Sequence, residues 1–95
     1  MTWQLLYHPE VAADLECVGP AAARRIMRAI DTKLTVEPIK FGAPLGGTLA
    51  AFRKLRVGDY RVVYQVQEAD VFILVLAVGP RRDKEIYSSA LKRLK

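Results

Sequence analysis

Gly58-Asp59 stands between two runs rich in β-forming residues, Phe52 to Val57 and Tyr60 to Gln65, and predicts a β-hairpin with a two-residue loop. So short a loop fixes the register of both strands. Val57 falls opposite Tyr60, Arg56 opposite Arg61 and Lys54 opposite Val63. Side chains alternate faces along a strand, so Lys54, Arg56 and Arg61 share one face. Leu55, Val57, Tyr60, Val62 and Tyr64 share the other, which reads as a core face. Like charges directly opposite each other destabilise a sheet. A fold that keeps Arg56 against Arg61 is expected to hold that pair for an anion, and nucleic acid is the commonest polyanion in a cell.

The net charge of +5 suits a nucleic-acid surface, an anionic membrane or an acidic protein partner. Ninety-five residues predict one domain spanning 1–95. A chain of this length buries only about 60–65% of its unfolded surface, so its stability margin is thin. Half the residues are apolar and about a quarter charged, a globular composition rather than a disordered one. Cys17 is the only cysteine, so no internal disulfide can form. A single thiol fits a reducing cytoplasm, and its place on a predicted helix suggests a small buried residue. Glu10, Asp14 and Glu16 interrupt any early apolar run, and no signal peptide is expected. Val71 to Val78, the longest apolar stretch, is too short to cross a bilayer as a helix. No membrane role is expected.

Trp3 to Tyr7 predicts a first strand, ended by His8-Pro9, with a helix running to about Cys17. His8 reads as a structural turn residue. Pro20 opens a second helix, Ala21 to about Val36, with Ala22, Ile26, Ile30 and Leu34 at spacing four. Arg24, Arg25 and Arg28 read as its exposed face. Glu37 to Ala51, rich in Gly and Pro, reads as a long loop. The hairpin follows, then a turn at Glu68-Ala69-Asp70. Val71 to Val78 is apolar on both faces and reads as a central strand, stopped by Gly79-Pro80. Asp83 can cap a last helix from Lys84 to Leu94, with Tyr87, Ala90, Leu91 and Leu94 on one face. The predicted fold class is α+β: a small antiparallel-rich sheet in the order β-α-α-β-β-β-α, with two N-terminal helices packed on one face.

One His and one Cys cannot furnish a zinc site, and no metal or cofactor is expected. There is no Gly-rich phosphate loop before a helix and no G-x-S-x-G. What remains is a basic surface with a tyrosine. RNA cleavage by its own 2′-hydroxyl needs a base for that hydroxyl, positive charge for the phosphorane and an acid for the departing 5′-oxygen. Arginine neutralises phosphate in a bidentate fork. A lysine crowded by cations gives up its proton more readily and can act as a base, and Lys54 beside Arg56 and Arg61 meets that condition. Tyr87 could stack on a base or position the nucleophile. Plainer readings stand beside these: a solvated sheet edge for the basic strands, surface charge for Arg81-Arg82, helix packing for Tyr87. Arg53 points away from Lys54 and is set aside. Composition and spacing reach a basic α+β domain for which nucleic-acid binding is one reading.

Lys54-Leu55-Arg56, then Tyr60-Arg61-Val62-Val63-Tyr64-Gln65-Val66, then Val78-Gly79-Pro80-Arg81-Arg82 and Glu85-Ile86-Tyr87, closely resemble the RelE branch of the RelE/ParE toxin superfamily. Tyr7-His8-Pro9-Glu10-Val11 with Asp14-Leu15, and Lys40 with Pro44-Leu45-Gly46-Gly47, look like the same family. The resemblance implies a microbial-ribonuclease-type fold and the toxin of a type II toxin–antitoxin system. Such a toxin is a metal-independent, ribosome-dependent endoribonuclease that cuts mRNA in the 30S A site and so inhibits translation. Carried over by position, Lys54 is the general base or charge stabiliser, and Arg61 holds the scissile phosphate. Arg81 stabilises or protonates the leaving group, and Tyr87 stacks on or orients the nucleotide. Arg56 lies by the same groove, and Arg82 could partly replace Arg81. The family usually carries a further lysine where this chain has Phe52. Phe52 then either weakens catalysis, so that Phe52→Lys raises cutting, or binds RNA by stacking. The implied partner is a small cognate antitoxin that wraps the toxin with an acidic segment folding on binding. The pair would meet operator DNA through the antitoxin. Two alternatives share the fold: a ParE-like inhibitor of DNA gyrase, and a catalytically weakened binding module.

Overall fold

The computed structural model describes residues 3–45, 52–82 and 85–94. Five strands, β1 (Gln4–Tyr7), β2 (Ala43–Pro44), β3 (Arg53–Val57), β4 (Tyr60–Gln67) and β5 (Phe72–Pro80), form one sheet in the order β1-β5-β4-β3-β2. The helices are α1 (Val11–Val18), α2 (Pro20–Ala29), α3 (Pro38–Phe41) and α4 (Glu85–Leu94). The α+β class and the antiparallel-rich sheet are as expected. β1 alone runs parallel to its neighbour, with Gln4 beside Phe72 and Tyr7 beside Val75. Among the described residues no helix is long and apolar enough to cross a membrane.

The hairpin register is the expected one: Val57 pairs with Tyr60, Arg56 with Arg61 and Lys54 with Val63. Gly58 has φ +58, which a two-residue hairpin loop requires and glycine adopts at least cost. Leu55, Val57, Val62 and Tyr64 are buried beneath Val11 of α1, Ile26 of α2, and Ile30 and Leu34. The two N-terminal helices therefore cover one face. Each fully buried aliphatic side chain contributes about 1.5–3 kcal/mol.

The second helix departs from expectation after Ala29, where Ile30–Leu34 form a π-helical turn. Strict spacing of four drifts by about 40° per step on a 3.6-residue helix. The wider turn keeps Ile30 and Leu34 on the face of Ile26, and all three are fully buried. Cys17 is exposed, contrary to expectation. The inward face of α1 is taken by Val11, Leu15 and Val18, and Cys17 falls outside that stripe.

The segment read as one long loop contains α3 and β2. The Arg53 guanidinium donates to the carbonyls of Ile39 (2.7 Å) and Gly42 (2.9 Å), and the buried Tyr64 hydroxyl donates to that of Pro38. These bonds fold the segment onto the sheet. Its Gly46-Gly47 part, the Asp83 cap and the side chain of Leu94 lie outside the described residues. The turn after β4 runs on to Val71, which has φ +54, and Gly79 and Pro80 belong to β5 rather than stopping it.

β5 carries one extra residue. Val63 pairs with Ala77 but Tyr64 pairs with Val75, so Leu76 is a bulge. Leu76 and Ala77 consequently both join the second core, on the opposite face, with Phe52, Val63, Ile86 and Ala90. Helix α4 is the roof of that second core.

Candidate active site

Three elements build a basic surface beside the roof. β3 supplies Lys54 and Arg56, and β4 supplies Arg61 from the same face. On β5 Arg61 faces Gly79, which has no side chain to cover it. α4 closes the far side with Tyr87. Arg61 donates a hydrogen bond to the Tyr87 hydroxyl, and its guanidinium carbon lies 5.4 Å from the centre of the ring. That cation–π contact fixes the direction of the guanidinium.

Arg81 comes from beyond the end of β5. Its backbone N–H donates to the Asp59 carbonyl at 2.9 Å, which ties it to the hairpin turn. The Arg81 Nε is buried and has no hydrogen-bond partner among the described residues. Arg82 is exposed. With Arg81, Asp59, Tyr60 and Pro80 it lines a cleft of about 650 Å³.

The hairpin tip gathers two further guanidinium contacts. Arg56 Nε donates to the Gly58 carbonyl at 3.3 Å. From the other side Arg25 of α2 lies over the same glycine, where an added Cβ would stand 2.8 Å from its Nη2. Arg25 was legible only as one of an exposed basic trio, and nothing in sequence joins it to position 58. The ion pairs found among the described residues lie elsewhere, at Lys40–Glu37, Arg93–Glu10 and Arg93–Asp14.

Phe52 requires a correction. It does lie on the Lys54 face, but it is 2% exposed, in the core under α4. A ring roofed by Ile86 and Ala90 has no free face for a base, and a lysine there would place an ammonium in an apolar core. Neither the stacking role nor a gain from Phe52→Lys fits this burial. Arg53, set aside from sequence, is a structural donor to the α3 segment.

The sequence pattern of the ParE toxin of type II toxin–antitoxin systems, parDE, matches residues 5–85. A RelE-like toxin protein of Escherichia coli is 40% identical over 96 residues, covering 100% of both chains. The chain belongs to the RelE/ParE toxin superfamily. The mRNA interferase toxin RelE of Escherichia coli strain K12 is 49% identical over 41 residues, so the match spans 43% of each chain. Among solved structures, a RelE–RelB complex from the archaeon Pyrococcus horikoshii OT3 is similar with a TM-score of 0.68. Identity there is 34%, over 86% of this chain and 98% of that one. The chain is thus a RelE-type toxin by family, and it carries Lys54, Arg56, Arg61, Arg81 and Tyr87.

Proposed function

We propose that this toxin is a ribosome-dependent endoribonuclease that cuts mRNA in the A site and thereby stops translation. The observation that carries the reading is the seating of Tyr87 on Arg61, on the strand face that also bears Lys54 and Arg56. In the proposed reaction the Lys54 amine takes the proton of a ribose 2′-hydroxyl. The 2′-oxygen attacks the adjacent phosphorus, and the bond from phosphorus to the 5′-oxygen breaks. Arg61 and Arg56 neutralise the phosphorane, whose charge exceeds that of the substrate. Arg81 stabilises the departing 5′-oxygen, which takes a proton from water and leaves as a hydroxyl; the other product is a 2′,3′-cyclic phosphate, and the Lys54 ammonium returns its proton to the hydroxide so formed. Tyr87 orients Arg61 and stacks on or orients the nucleotide. Arg82 adds to backbone binding. The name of the Escherichia coli K12 relative, an mRNA interferase toxin, supports this reading.

The proposed site of action is the cytoplasm, and the proposed partner is a small antitoxin with an acidic segment that covers the basic surface. The archaeal RelE–RelB complex supports a partner of this kind. Operator DNA would be reached through the antitoxin.

A second reading, inhibition of DNA gyrase, is favoured by one observation: the matching family pattern is named for ParE. One experiment separates the two. Purified toxin is added to programmed ribosomes and cut 5′ ends are mapped, while the same toxin is added to a gyrase supercoiling assay. The nuclease reading expects cuts at A-site codons and unchanged supercoiling. Intact mRNA with lost supercoiling would replace it with the second reading.

A further inference from the structure

β1 is shorter than the strand it borders. Its pairing ends with Tyr7 beside Val75, and the His8 N–H adds one last bond to the Val75 carbonyl. β5 continues for five more residues, to Pro80. Past that point two side chains hold the backbone of β5. Asp14 Oδ2 accepts from the Val78 N–H at 3.0 Å, and Arg93 Nη1 donates to the Leu76 carbonyl at 2.8 Å. The same two residues grip each other in a bidentate pair at 2.7 and 3.0 Å, and Arg93 Nε lies 3.2 Å from Glu10 Oε2. Their side chains are only 17% and 13% exposed. Hydrogen bonding to Asp14 holds Arg93 more firmly in its charged form, against the opposing effect of burial.

This clasp links α1, β5 and α4, elements up to 79 residues apart. Helix α4 has ten residues, and a helix of that length is marginal without outside contacts. Its described apolar anchors are Ile86 and Ala90, with Tyr87 and Leu91 partly buried. Arg93 lies six residues after Tyr87, about 9 Å along the axis, and pins the distal turn of the helix.

We infer that Asp14 and Arg93 are positioning residues for Tyr87: clasped on β5 past the end of β1, they fix α4 so that the Tyr87 hydroxyl rests on Arg61. The inference rests on the proposed role of Tyr87 only where cleavage is concerned. The clasp also holds the β5 backbone at Leu76 and Val78, a few residues before Arg81, so the comparison in a Tyr87→Ala background isolates the part that acts through the helix. A bidentate pair needs the guanidinium fork, which lysine cannot reproduce.

The test has two readouts. The first is fluorine NMR of the full chain carrying 3-fluorotyrosine, with the Tyr87 signal assigned from Tyr87→Phe. In Arg93→Ala and Asp14→Asn the Tyr87 signal should move to where it lies in Arg61→Ala, while those of Tyr7, Tyr60 and Tyr64 stay in place. An unmoved Tyr87 signal, or four signals moving together, overturns the inference. This readout needs no RNA, so it stands whether or not the toxin is a nuclease. The second is single-turnover cleavage on programmed ribosomes. Arg93→Ala should lower the maximal rate by about 10- to 100-fold at unchanged half-saturation. Arg93→Lys should fail to restore it. In a Tyr87→Ala background the further loss from Arg93→Ala should fall below about twofold. The same loss in both backgrounds overturns the positioning role. Absence of cutting by the unaltered toxin, with the NMR shift intact, counts against the nuclease reading alone.

Discussion

The Tyr87 hydroxyl accepts a hydrogen bond from the Arg61 guanidinium, although the two residues lie 26 positions apart on a helix and a strand. The contact turns an open basic strand face into a walled site. It uses one of the three guanidinium nitrogens of Arg61, and in the proposed reaction the other two, with the neighbouring Arg56, meet the phosphate. A guanidinium held in place loses less freedom on binding than a free one, which raises its value at the transition state.

Arg61→Ala and Arg81→Ala should each lower single-turnover cleavage by about 10²–10³-fold. Growth arrest on induction should disappear with it. Both residues are partly exposed, so thermal unfolding should change little. Full toxicity of either variant at an equal protein level would remove that arginine from the site.

Phe52 should behave as a core residue. Phe52→Ala is expected to cost about 3–5 kcal/mol in urea unfolding, because it leaves a cavity under α4. Phe52→Lys should unfold the chain or drive it to aggregate rather than raise cutting. A folded Phe52→Lys variant with an unchanged midpoint would show that the ring is not held in the core.

Gly42 is dictated by its neighbour. An added Cβ would overlap the Tyr64 hydroxyl and stand 3.1 Å from the Lys54 carbonyl. Gly42→Ala should therefore displace Tyr64 and break its bond to Pro38, costing about 1–3 kcal/mol. The double variant with Tyr64→Phe should recover part of that loss, since the overlapping oxygen is gone. Equal stability of Gly42→Ala and the unaltered chain would contradict this packing.

Burial raises the Tyr64 pKa above its ordinary value, outweighing the opposite pull of Arg53. The folded chain therefore keeps a proton that the unfolded chain releases near pH 10. Stability from this group is complete below that pH and falls as pH rises from there toward the folded pKa. Tyr7, raised by burial and by Asp31, acts in the same direction. Urea midpoints at pH 9 and pH 11 should diverge, and Tyr64→Phe should narrow the gap. An unchanged gap in Tyr64→Phe would assign the alkaline loss to other groups.

The sequence by itself determined the hairpin and which of its residues share a face. Gly58-Asp59 permits one register, and period-two alternation does the rest; both are local properties of the chain. The amphipathic face of the second helix and the two-sided burial of β5 were legible for the same reason. The family resemblance then singled out Arg81 and Tyr87, which no local pattern joins to Arg61.

Tertiary structure decided what covers the second face. Phe52 and Lys54 alternate correctly onto one side, yet one is core and the other is not, because α4 roofs only part of that side. The Leu76 bulge is invisible within an unbroken apolar run, since every residue there suits either face. The folding of Pro38–Phe41 onto the sheet depends on Arg53 and Tyr64, donors from strands that pair only once the sheet exists. The clasp between Asp14 and Arg93 is the extreme case. Nothing local in the sequence joins a carboxylate and a guanidinium on separate helices, and only a strand that outruns its neighbour brings them together.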